Sequence, residues 1–199
     1  PLNPQFQTAQ GHIGLGPRRT IAIAAHLEVR SVLQDAQALI ALGLVDVLIG
    51  SYPRRTGIWP GKDVDVFAKL TNQSIDTITP EEAYELFYAI LLEAFGDRVE
   101  RQGRSIKVNY WPGRAPDQRF VVKAAKLLEA ALPVSSDEFE FSVDVVPAVR
   151  FGDRWGIPNR NPATWTREAA SERWMCTDPE RLTELTHEIN AKLKINGQG

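Results

Sequence analysis

Three aspartates in this chain have the residue type and spacing needed for chemistry on phosphates. Asp63 and Asp65 open the segment Asp63–Leu70, whose apolar and polar alternation predicts a strand. Successive side chains of a strand point to opposite faces, so both carboxylates share one face while Val64 and Val66 enter the core. Two neighbouring carboxylates repel each other unless a cation lies between them, and hard divalent cations prefer oxygen ligands. The pair therefore predicts a site for Mg²⁺ (or Mn²⁺), the alternative being a solvated strand face.

Asp144 strengthens the metal interpretation. It lies in the stretch FEFSVDVVP, where one face of the predicted strand is apolar through Phe139, Phe141, Val143 and Val145. Asp144 points to the other face and is flanked by valines, which predicts a central strand, where an unpaired carboxylate is costly. A metal ion shared with Asp63 and Asp65 would remove that cost.

A candidate phosphate-binding loop precedes the Asp-x-Asp pair. Gly50 and Ser51 are followed by an eleven-residue spacer and then by Asp63. Gly50 allows the backbone to approach a phosphate closely, and the Ser51 hydroxyl and amide can hold it. Arg55 and Lys62 flank this loop with positive charge that can meet a triphosphate, unless they are ordinary surface charges.

Helices and strands alternate around these residues. Helices are predicted near Thr20–Leu42, Thr79–Phe95, Phe120–Leu132 and Thr177–Leu193. Strands are predicted at Val45–Gly50, at Asp63–Leu70 and at Phe139–Val149, and Arg98–Tyr110 is predicted to form either paired strands or one long strand with a turn near Gln102 and Gly103. The order predicts an α/β (α+β) fold, in which helices pack on a mixed β-sheet within one unit covering residues 1–199.

Composition limits the function classes. The net charge of −2 argues against a surface built for a nucleic-acid polymer, so no structural nucleic acid is expected. No apolar run approaches the roughly 20 residues that cross a bilayer, so no membrane is expected. Cys176 is the only cysteine, which fits a cytoplasmic protein and predicts a small buried side chain. His26 is expected at a helix surface or an interface.

The motifs together resemble a known superfamily. The stretches IGSYPRRTGIWPGKDVDVF and FSVDVVPAV resemble the DNA polymerase β-type nucleotidyltransferases, whose pattern is Gly-Ser, a spacer, Asp-x-Asp and a third aspartate on a later strand. With HLEVRSVL, RSIKV, WGIPNRN and TDPERLTELTHEIN, the chain is more narrowly similar to the bacterial cGAS/DncV-like nucleotidyltransferases (CD-NTases). The similarity runs from about Ala25 to Asn190, with a poor fit between Trp111 and Asp137.

The resemblance implies a polymerase β-type nucleotidyltransferase core with nucleoside triphosphates as partners. Asp63 and Asp65 would bind two Mg²⁺ ions, Asp144 would bind the catalytic one, and Gly50 and Ser51 would hold the triphosphate. The implied product is a cyclic di- or trinucleotide second messenger of anti-phage signalling. Enzymes of this kind have a helical C-terminal lobe, so either that lobe is missing from this chain or a regulatory protein partner is expected to complete the cleft.

Two other functions are compatible with the same residues. A nucleotidyltransferase of this type can instead modify an RNA end or a protein hydroxyl, and the negative net charge speaks mildly against RNA. A silent nucleotide-binding module is the other alternative, against which the intact aspartates argue. Among weaker candidates, Arg150 is placed to face an acceptor nucleotide, Arg160 to stack on a base, and Trp165 is more typical of hydrophobic packing.

Overall fold

The computed structural model describes residues 18–50, 63–129 and 140–195. The helices are α1 (Arg18–Asp35), α2 (Gln37–Ala41), α3 (Pro80–Phe95), α4 (Gln118–Leu128), α5 (Ala170–Arg173) and α6 (Pro179–Ile195). The strands are β1 (Leu44–Ile49), β2 (Asp63–Ser74), β3 (Val99–Arg101), β4 (Ile106–Tyr110), β5 (Phe141–Phe151), β6 (Arg154–Pro158) and β7 (Trp174–Thr177).

The described strands form one mixed sheet. Its order is β1-β2-β5-β4-β3, and β6 and β7 extend it from the far part of β5. The central strands β2 and β5 run parallel, while the other neighbours are antiparallel. Helices pack on this sheet, which confirms the predicted fold class and makes neighbours of the two strands that carry the aspartates.

One face of the central strands, here called the helix face, forms the main core. It is formed by Val64 and Val66 of β2 and by Val143 and Val145 of β5, all of them at most 1% exposed. These side chains pack with residues of α1 and α3, including Val29, Leu33, Tyr84, Phe87 and Leu91. This apolar face holds the two strands together, and it contributes about 25 cal/mol for each Å² removed from water.

Helix α3 begins where its sequence predicts. Thr79 is the N-cap: its hydroxyl accepts from the Glu82 amide at 3.2 Å, and its own amide donates to the Glu82 carboxylate at 2.8 Å. This reciprocal pair, followed by Pro80 in the first turn, is a complete capping box. The helix then runs to Phe95 and ends at Gly96, as predicted.

Strand β1 is tied to α1 by a buried carboxylate. The Asp46 side chain is only 4% exposed, and it pairs with Arg30 and accepts from Gln34 Nε2 at 2.6 Å. Because both of its oxygens have donors, the buried charge is compensated. The contact orients β1, and Gly50 follows directly after this strand.

The other face of the central strands, here called the cleft face, is formed by Asp65, Phe67, Asp144 and Val146. A smaller apolar cluster lies towards one end of it, comprising Phe67, Val146, Ala148, Trp155 and Ile157. Helix α6 begins beside this cluster, since Lys69 Nζ lies 2.8 Å from Glu180 Oε2 and 5.1 Å from the centre of the Trp155 ring. The paired ammonium group can therefore be almost fully buried.

Several elements differ from their sequence prediction. The long first helix is interrupted at Ala36, whose extended backbone (φ −76°, ψ 106°) turns Leu39 into the core. Strands β6 and β7 were not predicted, because β6 contains Gly156 and ends at Pro158, residues that are depleted in strands. Helix α4 ends at Leu128 and not at Leu132, with Glu129 in the left-handed region at φ 51°.

Two single side chains also differ. Cys176, expected to be buried, is exposed on the strand β7. His26, expected at a surface or interface, is 5% exposed, and burial, assisted by the Arg30 charge, lowers its pKa to about 4. The helical spacing of apolar residues did not reveal that the side of α1 that carries His26 is also buried. In the described part of the chain, no helix combines the length and apolar character needed to cross a lipid bilayer.

Candidate active site

A row of side chains crosses the sheet at Asp65 and Asp144. These residues are direct partners in the register of β2 and β5. On one side Ile49 is paired with Asp65, and on the other Lys107 is paired with Asp144, with Glu100 beyond it. Directly opposite partners project from the same face of a sheet, and adjacent strands lie about 4.8 Å apart. Two carboxylates and a lysine therefore meet on the cleft face.

Burial and nearby charges perturb the pKa of Asp144. Burial raises its pKa to about 6; the charge of Lys107 opposes this shift, and the nearby Asp65 and Asp63 carboxylates add to it. Its Oδ1 atom is buried and has no hydrogen-bond partner among the described residues. A buried carboxylate oxygen without a donor is costly, and a bound cation would compensate it.

Gly50 closes the site beside Asp65. Its φ of 79° lies in the left-handed region. A Cβ atom at this position would lie 2.2 Å from Asp65 Oδ2, far inside van der Waals contact. Glycine is therefore required here both for the backbone conformation and for the space. The backbone at Gly50 approaches the Asp65 carboxylate closely, and its predicted approach to a phosphate stays a prediction.

The remaining members of the predicted site are at or beyond the edge of the described region. Asp63 is the first residue of β2, is exposed, and is paired in register with Ser142. It lies two residues before Asp65, so it projects from the same face. Ser51, Arg55 and Lys62 lie outside the described residues, and their roles stay predictions.

The donor chemistry of the three aspartates suits a hard cation. Asp63, Asp65 and Asp144 offer the oxygen ligands that Mg²⁺ prefers, and Asp144 Oδ1 lacks a donor among the described residues. Within residues 18–50, 63–129 and 140–195, no group of three or more His, Cys, Asp or Glu side chains is close enough to hold a metal ion. The Mg²⁺ assignment therefore stays a prediction for these three residues.

A cavity of about 810 Å³ extends along the cleft face from Asp65 and Asp144. Apolar side chains of four strands line it: Ile49, Phe67, Val146 and Ile157. Its other lining residues come from the turn between β3 and β4, the loop after β6, strand β7 and the start of α6, and they are Gln102, Gly103, Arg104, Ser105, Arg160, Met175, Thr177 and Pro179. This volume is in the range of small-molecule sites, which supports a ligand of nucleotide size.

Solved structures share this architecture. No family model and no curated protein matches the chain. The Rhodothermus marinus CdnE c-UMP-AMP synthase superposes on all of it at 18% identity with a TM-score of 0.58. The c-di-GMP synthase CdnE of Capnocytophaga granulosa matches 91% of it at 15% identity with a TM-score of 0.58. The Bradyrhizobium diazoefficiens CD-NTase CdnG matches 87% at 17% identity with a TM-score of 0.52. The chain has the fold of the bacterial CD-NTases.

The CD-NTase fold confirms the predicted resemblance at the level of architecture. The chain spans 63%, 49% and 43% of the length of these three structures, respectively. At identities of 15% to 18% across these three structures, the likeness is one of fold.

Of the weaker sequence candidates Arg150, Arg160 and Trp165, only one lines the cavity of this CD-NTase fold. Arg160 lines the cavity with the aspartates. Arg150 does not line it; its guanidinium group lies 4.5 Å from the centre of the Trp155 ring. Trp165 is buried, and its Nε1 donates to the Asn159 carbonyl at 2.8 Å, so it packs as expected.

Two residues beside the aspartates were missed from sequence. Lys107 faces Asp144, and Arg104 lines the cavity. The alternation of Lys107 with the buried Ile106 and Val108 does indicate that it points away from the core. Its position opposite Asp144 depends on strand register, for which the sequence carries no local signal.

Proposed function

We propose that this protein is a nucleotidyltransferase that joins nucleoside triphosphates and makes a cyclic di- or trinucleotide second messenger. One observation carries the proposal: Asp65 and Asp144 are in register on adjacent parallel strands, beside Gly50, in a cavity of nucleotide size. Packing does not explain why two carboxylates lie side by side. One of them, Asp144, has a buried oxygen that lacks a donor in the described chain.

The proposed reaction is an in-line displacement at phosphorus. A ribose hydroxyl oxygen forms a bond to the α-phosphorus, the bond from that phosphorus to the bridging oxygen breaks, and pyrophosphate leaves with the electron pair. The hydroxyl proton passes to a carboxylate oxygen of Asp144. Asp63, Asp65 and Asp144 would hold Mg²⁺, which would neutralise charge on the triphosphate and lower the pKa of the attacking hydroxyl. Gly50 and Ser51 bind the triphosphate, together with Arg55 and Lys62.

Lys107 contributes to the electrostatics of this proposal. Its ammonium charge is the largest influence that lowers the pKa of Asp144, and so it favours the ionised carboxylate. An ionised Asp144 is the form that both binds a cation and accepts a proton. In the proposed mechanism Lys107 is a positioning and charge-balancing residue that does not contact the reacting atoms.

The cyclic product is proposed from similar proteins. The Rhodothermus marinus and Capnocytophaga granulosa structures are described as synthases of c-UMP-AMP and c-di-GMP. By analogy of fold, this chain takes two or three ribonucleotides and closes them into a ring for anti-phage signalling in the cytoplasm. In this proposal a helical C-terminal lobe or a regulatory protein partner completes the cleft.

Product analysis tests the proposal. The complete protein is incubated with the four ribonucleoside triphosphates and Mg²⁺ or Mn²⁺, and the products are identified by mass spectrometry before and after phosphatase treatment. We expect short oligonucleotides, a fraction of which resists phosphatase, because ring closure consumes the last triphosphate and leaves no terminal phosphate.

Other results would point elsewhere. Linear products alone would retain the nucleotidyltransferase assignment and remove the cyclic one. Labelling of added RNA or protein without any product from free nucleotides would favour the macromolecule-modifying alternative. Absence of transfer to every acceptor would leave the silent nucleotide-binding module.

A further inference from the structure

Helix α6 begins at the wall of the cavity. Thr177, the last residue of β7, and Pro179, the first residue of α6, both line it. Thr177 is held in the sheet by its pairing with Trp155, but from Pro179 onwards the chain has left the sheet. The shape of the cavity on this side therefore depends on how the start of α6 is held in place.

Apolar packing does little to hold α6. A helix of a globular domain usually buries an apolar stripe against the core. In α6, however, no side chain between Pro179 and Ile189 is buried. Leu182, Leu185 and Ile189 are 52%, 38% and 55% exposed. The position of this helix on the sheet must therefore depend on other contacts.

Most polar contacts of α6 stay within the helix and its cap. Asp178 Oδ1 accepts from the Arg181 amide at 3.0 Å, and the Arg181 guanidinium group pairs with Glu184 and Glu188. Two threonine hydroxyls donate to carbonyl groups one turn back. Among the side-chain hydrogen bonds and ion pairs of the described part of α6, one reaches another element, and it joins Glu180 to Lys69.

Lys69 approaches α6 from the central strand β2. It lies four residues after Asp65, so it projects from the same face of the sheet. Its side chain is 9% exposed, its Nζ lies 2.8 Å from Glu180 Oε2, and the same atom lies 5.1 Å from the centre of the Trp155 ring. An ammonium group buried to this extent is costly without a carboxylate partner.

Stability does not explain this ion pair. Glu180 is favourable in the first turn of a helix without any partner, and at 41% exposure it is also hydrated. Lys69 has no such reason to be charged, since an apolar side chain of similar length would pack beside Trp155 without losing hydration. Exchange of a buried ion pair for apolar residues is often neutral or stabilising. What the pair does provide is one arrangement, because a shift of α6 leaves the Lys69 ammonium without its carboxylate.

We propose that the Lys69–Glu180 ion pair is a positioning contact, which holds the start of α6 as a wall of the cavity and thereby sets its affinity for nucleoside triphosphates. The inference rests on the proposed function and identifies the contact that shapes its binding site. Neither Lys69 nor Glu180 lines the cavity, so both act through the backbone that leads to Pro179.

Two variants of the complete protein break the contact from opposite sides. Lys69→Met removes the charge, nearly keeps the length of the side chain, and leaves a Glu180 carboxylate that water can solvate. Glu180→Gln keeps the shape and leaves the Lys69 ammonium without a carboxylate. Glu184→Gln is the matched control, because it removes a carboxylate one turn further along α6 whose ion pair lies within the helix.

The expected result separates position from stability. Lys69→Met should melt at or above the wild-type temperature, because the buried ammonium is gone. Amide hydrogen exchange in the first two turns of α6 should nevertheless be about fivefold faster, since the helix is released from the sheet. With Mg²⁺, the α,β-methylene analogues of the four ribonucleoside triphosphates should bind about fivefold to tenfold more weakly, and KM should rise while kcat stays within about twofold.

The other two variants complete the comparison. Glu180→Gln should change exchange and affinity in the same direction as Lys69→Met and should also melt at a lower temperature, because it leaves a buried charge unpaired. Glu184→Gln should match the wild type in nucleotide affinity. A loss of affinity in Glu180→Gln alone, in step with its lower melting temperature, would show a merely structural role and overturn the inference.

Hydrogen exchange keeps this test separate from that of the proposed function. If the wild type binds none of the four analogues, the proposed function fails, and the exchange of α6 still decides whether the ion pair holds the helix. Exchange in Lys69→Met equal to that of the wild type overturns the inference in either case. Faster exchange with unchanged nucleotide affinity, or a fall in kcat at constant KM, also overturns it.

Discussion

The two faces of the central strands β2 and β5 differ in the side chains that they carry and in their effect on stability. On the helix face, alternate residues of β2 and β5 are valines packed under α1 and α3. On the cleft face, one residue along, Asp65 and Asp144 stand side by side, and Asp144 is half-buried with an oxygen that lacks a donor in the described chain. The first face stabilises the fold, whereas the second holds charges that a folded protein would be more stable without.

Both faces bury apolar side chains, but only the cleft face carries the proposed chemistry. Substitutions on the helix face should therefore change unfolding and leave turnover intact, while substitutions of the aspartates should do the reverse. The loss of a buried carboxylate on the cleft face should even raise stability.

The largest effect is expected at the aspartates. Asp63→Asn, Asp65→Asn and Asp144→Asn should each lower the rate of transfer by about a thousandfold or more, since each removes an anionic metal ligand while keeping the side-chain shape. Single-turnover kinetics of the complete protein measure this. Asp153→Asn, at an exposed turn residue, is the control and should keep the wild-type rate. Near wild-type turnover of the Asp65 and Asp144 variants would rule out the proposed site.

A matched pair of phenylalanines tests the division between faces. Phe87 on the helix face and Phe67 on the cleft face are both fully buried. Phe87→Ala and Phe67→Ala should each lower the free energy of unfolding by about 3 to 5 kcal/mol, the usual cost of a cavity in a core. Only Phe67→Ala should also weaken nucleotide binding, because Phe67 lines the cavity. Denaturant titrations and nucleotide titrations at low temperature measure the two quantities; equal losses of affinity would contradict the division.

The smallest effect concerns the pH dependence of stability without metal. The pKa of Asp144 is raised from 3.8 to about 6 in the folded state. The folded protein therefore binds more protons than the unfolded chain between these values, and stability is lost as the pH rises through this window. In EDTA at pH 7.5, Asp144→Asn should be more stable than the wild type by about 1 to 2 kcal/mol, a figure reduced for solvent screening.

That gain should disappear below about pH 3, where Asp144 is protonated in both the folded and the unfolded state. Unfolding curves of wild type and Asp144→Asn at the two pH values measure it. A difference in stability that is independent of pH would show that the charge on Asp144 carries no cost, which would remove one side of the comparison.

Much of the fold was predictable because its signals are local. The capping box at Thr79 and the proline after it marked the start of α3 within its own first turn. The alternation along β5 separated Asp144 from the valines that flank it. Signals of this kind depend on neighbours in the chain, and the structure confirms them.

Other features had no local signal. Strand β6 holds a glycine and a proline and forms only because β5 and β7 pair with it. The burial of His26 and the exposure of Cys176 depend on which elements cover them. Hydrophobicity along the chain does not carry that information, since tertiary contacts decide it.

For the candidate site, the sequence by itself determined which residues share a face. The period of a strand is two, so Asp63 and Asp65 had to point one way and Val64 and Val66 the other, whatever the strand pairs with. Only the tertiary structure decided that β5 lies next to β2 in the register that sets Asp144 beside Asp65, and that Lys107 lies across from it. Register is a property of two strands joined by hydrogen bonds and packing, and residues far apart in the chain become neighbours only when the sheet forms.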